Sequence, residues 1–173
     1  MIRQKTAVLL GFSLQFGAIL ADASIEDAQK LYDFGVNIGI GFQLKDDLLD
    51  VYADKDKFGK QVGGDIISNK KTFLHLKTLA LAHSDEAYSL TSVDFNQEEK
   101  IDQVTQLYNK YEIKELALAE MDQYLSKALK SLNDLAVADE KKTQFRELVQ
   151  QIMERDRWEL GVVELEVVEL GSC

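Results

Sequence analysis

The chain of 173 residues contains no proline. A chain this long ordinarily carries about nine. Proline is the residue that stops a helix from inside, because it lacks an N–H and clashes with the preceding turn. Its absence makes long, uninterrupted helices the first expectation, and it excludes collagen-like, proline-rich and PxxP-bearing architectures. Apolar spacing agrees. Residues 2–20 read as a buried helix, and Ser24-Ile25-Glu26-Asp27 reads as a capping box opening a helix to about Tyr52. Further helices are expected over 72–83, 97–111, 113–136 and 139–155, with a glycine- and charge-rich loop over 54–69 and a connector over 84–96. In the 113–136 stretch, Leu116, Leu118, Met121, Leu125, Leu129 and Leu132 recur at three and four. The predicted fold is an all-α helical bundle.

Gly35, Gly39 and Gly41 fall inside the second helix. Glycine there costs about 1 kcal/mol, so close helix packing or a kink is expected at those points. The last residues, Trp158–Cys173, repeat the tetrapeptide VVEL, and residues 156–173 carry five carboxylates against one arginine. This acidic tail is read apart from residues 1–155, either as a native strand or helix or as sequence foreign to the fold.

Charge narrows the function. The net charge is −10, which disfavours a nucleic-acid binder. Residues 55–77 run against this, with six lysines and two aspartates, and point to a local anion site. No apolar run is long enough to span a membrane, and no signal peptide is read. The single cysteine, Cys173, excludes an intrachain disulfide and a zinc cluster and is compatible with a reducing, cytoplasmic setting.

The chemistry concentrates in Phe42–Asp50, FQLKDDLLD. At about 100° per residue, Gln43, Asp46, Asp47 and Asp50 share one helix face. Carboxylates at this spacing repel one another. They mark either a solvated acidic face or a face held by a cation, for which magnesium is suited: it takes a few carboxylate oxygens and completes its shell with water and phosphate. The loop that follows brings Lys60, Lys70 and Lys71 on a glycine-rich backbone, a combination that neutralises phosphate charge. An EF-hand reading of Asp54–Asp65 fails, because Phe58 occupies position five and Asp65 stands where a bidentate glutamate is wanted. His75 and His83, the two histidines, fall on a core-packed helix and read as structural or surface residues.

FQLKDDLLD followed by FGKQVGGDIISNKKT resembles the second aspartate-rich motif and lysine loop of the trans-isoprenyl diphosphate synthases. Lys5-Thr6 is similar to that family's lysine–threonine motif. The resemblance covers residues 2 to about 75. It implies a helical bundle around a deep cavity, in which an allylic diphosphate ionises and isopentenyl diphosphate attacks the carbocation. It further implies Asp46 and Asp50 as Mg2+ ligands with Asp47 in support; Lys5, Lys60 and Lys70 as ligands of the allylic diphosphate; and Thr6 and Gln43 at the reacting centre. The family's first aspartate-rich motif has no counterpart among the 45 residues before Asp46. The chain is therefore expected to be the C-terminal half of such an enzyme, inactive alone, or else a non-catalytic helical partner derived from the family. The resemblance also implies that Ala7, Leu10, Leu14 and Ile19 lack cover, so self-association, most simply as a two-fold dimer, is expected.

Overall fold

A computed structural model describes residues 3–53, 62–83, 86–91 and 96–154. The acidic tail therefore lies outside the described residues. A π-helical turn, Arg3–Ala7, runs into α1 (Val8–Leu20). Then follow α2 (Ile25–Tyr52), the single turn α3 (Gly64–Ile67), α4 (Phe73–Leu81), α5 (Ala87–Thr91), α6 (Gln97–Lys110) and α7 (Ile113–Asn133). A 3-10 turn, Asp139–Lys142, leads into α8 (Thr143–Glu154). Among the described residues there is no strand, and no helix is long and apolar enough to cross a membrane.

Helix α2 is the axis of the bundle. It packs against α1 on one side and α7 on the other. The α1 contact is a seam of small residues. A Cβ added at Gly35 would lie 2.7 Å from Gly11 Cα, and one at Gly39 would lie 2.8 Å from Ala7 Cα. The glycines thus serve close packing. At Gly41 the added Cβ would meet Leu125 Cδ2 of α7 at 2.7 Å. Phe34, Ile38 and Leu44 of α2 build the larger core with Met121, Leu125, Ala128 and Leu132 of α7 and Val149 and Ile152 of α8. A second core gathers Leu48, Ile66, Leu74, Val104, Leu107 and Tyr108 with Ile113 and Ala117, and it lies beneath the loop that carries Lys70.

The expected loop over 54–69 holds the helical turn α3, and the expected connector over 84–96 holds the short helix α5. Further details differ from the expectations. Ser24 caps α2 by accepting from the Asp27 amide at 3.0 Å, but Asp27 does not complete the box. Its carboxylate instead accepts from Lys30 and from the Ala136 amide, tying the start of α2 to the exit of α7. A full capping box stands at Asn96 and Glu99. The buried stripe of α7 runs Ile113, Ala117, Met121, Leu125, Ala128, Leu132, while Leu116 is exposed. Small alanines take positions that a count of large side chains assigns elsewhere. Finally, Ala7 is fully buried, against Gly39 of its own chain, and Leu10 and Leu14 are half-buried. The bare face of α1 is formed by Leu9, Phe12, Phe16, Ile19 and Leu20.

Candidate functional site

The last two turns of α2 carry the acidic residues, and the structure divides them. Asp46 is half-buried and accepts from Gln43 Nε2 at 3.4 Å. Asp50, also half-buried, receives the Asp65 amide on Oδ2 at 2.9 Å, and its carbonyl receives the Gly63 amide at 2.6 Å. Asp47 is only 5% exposed. It accepts from the Phe73 amide at 3.4 Å, and its Oδ1 lies 3.5 Å from Lys70 Nζ. The same ammonium meets Asp65 Oδ2 at 2.5 Å. The loop from Gly63 to Thr72 is thus stitched to α2 by hydrogen bonds at Asp50 and by an ion pair at Asp47.

Burial sets the charge states. It pushes the Asp47 carboxyl up to about 6, against the opposing pull of Lys70 and the Phe73 amide. Burial also raises Asp50, more than the Asp65 amide lowers it. For Lys70, burial pulls downward, but the Asp65 bond and the Asp47 charge carry the ammonium above its ordinary value. Among the described residues, no three acidic or imidazole side chains converge into a ready-made metal cage.

Lys5 and Thr6 sit on the π-helical turn, a wide turn that occurs frequently at functional sites. Lys5 is exposed and Thr6 half-buried. The turn packs on α2 at Gly39, one helical turn before Gln43. Together they border a cavity of about 630 Å3 whose remaining lining, from Leu9, Leu10, Phe42 and Ile152 among others, is mostly apolar. Lys60 lies outside the described residues. His75 is buried, with its amide bonded to Thr72 Oγ1, and His83 is exposed, as their reading predicts.

Two residues contribute that motif spacing does not single out. Asp65 pairs with Lys70 through its carboxylate and donates its amide to Asp50 Oδ2. Lys100 is buried and donates to Asn69 Oδ1 at 2.7 Å. Its signal was present: it stands in register with Val104, Leu107 and Tyr108, a lysine on the apolar face of an amphipathic helix.

Known proteins are similar to this chain in sequence and in fold. The geranylgeranyl diphosphate synthase of Sulfolobus acidocaldarius is 36% identical over 139 residues, which is 79% of this chain and 42% of that protein. The farnesyl diphosphate synthase of Bacillus subtilis is 50% identical over 76 residues, 44% of this chain and 26% of that protein. The crystal structure of geranylgeranyl pyrophosphate synthase from Corynebacterium glutamicum, complexed with isoprenyl diphosphate and magnesium, is 30% identical. It superposes with a TM-score of 0.76 over 88% of this chain and 44% of that one. The chain thus spans less than half the length of these relatives. The polyprenyl synthetase family model matches residues 1–111, and with the fold and motifs above it shows that the chain belongs to the polyprenyl synthetase family.

Proposed function

We propose that these helices form the diphosphate-binding side of a prenyltransferase active site, one that joins isopentenyl diphosphate to an allylic diphosphate. The observation that carries the reading is the pairing of the Asp46–Asp50 face of α2 with a loop whose Lys70 is held by Asp47 and Asp65. A buried carboxylate and a second aspartate orient one ammonium toward the place where phosphate charge is neutralised. In this reading Lys5, Lys60 and Lys70 bind diphosphate oxygens. Thr6 and Gln43 present neutral oxygen dipoles that steady positive charge without capturing it.

The donor set fits Mg2+. Asp46 and Asp50 offer hard carboxylate oxygens, and among the described residues the ammonium of Lys70 pairs with Asp47 and Asp65 while Asp50 accepts from the Asp65 amide, which leaves excess negative charge. Asp46 and Asp50 would hold the ion with Asp47 in support, and the ion would supply positive charge to offset that of a leaving diphosphate. Incomplete ligation by protein suits an ion that keeps waters and substrate oxygens in its shell.

The reading treats the chain as the C-terminal half of such an enzyme, because its relatives are more than twice the length it spans. Alone it lacks the opposing ligands and is inactive, and the bare face of α1 associates with a second copy. Incubation of the isolated chain with labelled isopentenyl diphosphate, an allylic diphosphate and Mg2+ gives no elongated product; clear turnover overturns the half-site reading. Calorimetry with inorganic pyrophosphate gives Mg2+-dependent binding that Asp46→Ala weakens by about tenfold or more. Equal binding by the variant leaves the acidic face as solvated surface.

A further inference from the structure

Lys100 is 6% exposed. Among the described residues no carboxylate lies within ion-pair distance of its ammonium, and its hydrogen bond goes to the neutral amide oxygen of Asn69. Burying a charge without a counter-charge is costly. That cost goes to one loop residue, and the residue is particular. Asn69 has a φ of 51°, in the left-handed region, and it immediately precedes Lys70. The neighbouring residue on α6 acts in parallel. Ile101 Cδ1 and Cγ1 lie 2.7 Å from where a Cβ on Gly63 would stand, and Gly63 has a φ of +84°. Two consecutive residues of α6 therefore touch the two left-handed residues that bracket α3. Between these brackets the loop closes on itself: the Asn69 amide donates to Ile66 O at 3.1 Å and the Lys70 amide to Asp65 O at 3.0 Å. The full capping box at Asn96 and Glu99 anchors the start of α6 beneath them.

We propose that the first turns of α6 are the platform that sets the lysine loop, and that Lys100 is a positioning residue for Lys70, acting through Asn69. The inference rests on the reading above, in which Lys70 binds diphosphate. Lys100 fixes the turn from which Lys70 leaves the backbone. The ammonium of Lys70 then reaches Asp47 and Asp65 from one direction and faces the diphosphate already oriented, so that less order has to be imposed on binding.

The test is calorimetry of the full 173-residue chain with inorganic pyrophosphate and MgCl2, using Lys100→Met, Asn69→Gly, Lys70→Met and the paired variants. Asn69→Gly keeps the left-handed backbone and removes the acceptor at an exposed position, so it makes the same deletion should Lys100→Met fail to fold. Lys100→Met and Asn69→Gly are each expected to weaken binding about tenfold, the loss of one charge-assisted hydrogen bond. Lys100→Met should add nothing further in the Asn69→Gly or the Lys70→Met background. A full additional loss on top of Lys70→Met means that Lys100 acts independently and overturns the proposal. Unchanged binding by Lys100→Met and Asn69→Gly, with Lys70→Met still weakened, removes the positioning role and leaves the diphosphate reading standing. Unchanged binding by Lys70→Met removes both. A readout without ligand accompanies it: the Ser68, Asn69 and Lys70 amides should exchange faster in Lys100→Met than in the parent, while those of α1 and α2 keep their rates. Equal exchange in the loop also overturns the proposal.

Discussion

Helix α2 meets two kinds of neighbour along its length. Its middle packs on α1 through Gly35 and Gly39, backbone against backbone, where the added atoms of a methyl group have no room. Its last two turns meet the lysine loop through Asp47 and Asp50, across hydrogen bonds and an ion pair at 2.6–3.5 Å. The first contact is steric and admits one separation of the helices. The second is electrostatic, and its strength follows the charge states of a few side chains. The comparison separates what holds Lys5-Thr6 beside α2 from what holds Lys70 there.

The steric half should break most severely. Gly35→Ala places a Cβ 2.7 Å from Gly11 Cα and 2.9 Å from its N, and neither is a flexible side-chain end. Overpacking of this kind outweighs the gain in helix propensity and should cost about 1–3 kcal/mol in denaturant unfolding. Gly17→Ala is the control in the partner helix. Nothing lies within 4 Å of its added Cβ, so the sign reverses and the variant should gain about 0.5–1 kcal/mol. Equal effects at the two sites would show that the seam is not what fixes the helix pair.

The electrostatic half should yield less. Lys70→Met leaves Asp47 buried without its ammonium, but the lysine side chain is 41% exposed, so solvent already screens the pair. A loss of about 1 kcal/mol is expected. Asp47→Asn in the same background should recover most of it, because the amide oxygen still receives the Phe73 N–H and needs no counter-charge. Failure to recover would place the role of Lys70 with Asp65 alone.

The outer face of α1 sharpens the contrast further. Leu9, Phe12, Phe16, Ile19 and Leu20 are exposed, and Phe12 and Phe16 stack at 5.8 Å between ring centroids. Light scattering at micromolar concentration should report a dimer, and Phe12→Lys with Phe16→Lys should return it to monomer without loss of helicity. A monomeric parent removes the role proposed for this face.

The smallest effect concerns pH. Burial lowers the pKa of His75 below 6.5, with Lys100 and Lys71 adding to the shift. The fold therefore favours neutral imidazole. Its contribution to stability is present above 6.5 and falls away as pH drops from there through the folded value. Asp47, raised to about 6 from 3.8, acts in the opposite sense, losing its contribution as pH rises through that range. The difference between the parent and His75→Gln isolates the histidine: the parent should lose stability relative to the variant as pH falls below 6.5. Parallel profiles would show that His75 has no altered affinity for its proton.

What the sequence determined by itself is local or periodic. Helix positions follow from apolar spacing and the absence of proline, the start of α2 from Ser24, and the candidate site from Asp46, Asp47, Asp50, Lys70 and Lys5-Thr6 standing in order along the chain. These signals live within a few residues, where dihedral preference and side-chain spacing act. Only the tertiary structure decided how the acidic face divides. On an isolated helix Asp46, Asp47 and Asp50 are near equivalents; burial against the lysine loop turns Asp47 into the partner of Lys70 and leaves Asp46 with Gln43. It also decided that the glycines of α2 meet Gly11 and Ala7, and that Lys100 reaches Asn69 from 31 residues away. Those outcomes depend on which surfaces exclude water together, and desolvation belongs to the packed chain rather than to any segment of it.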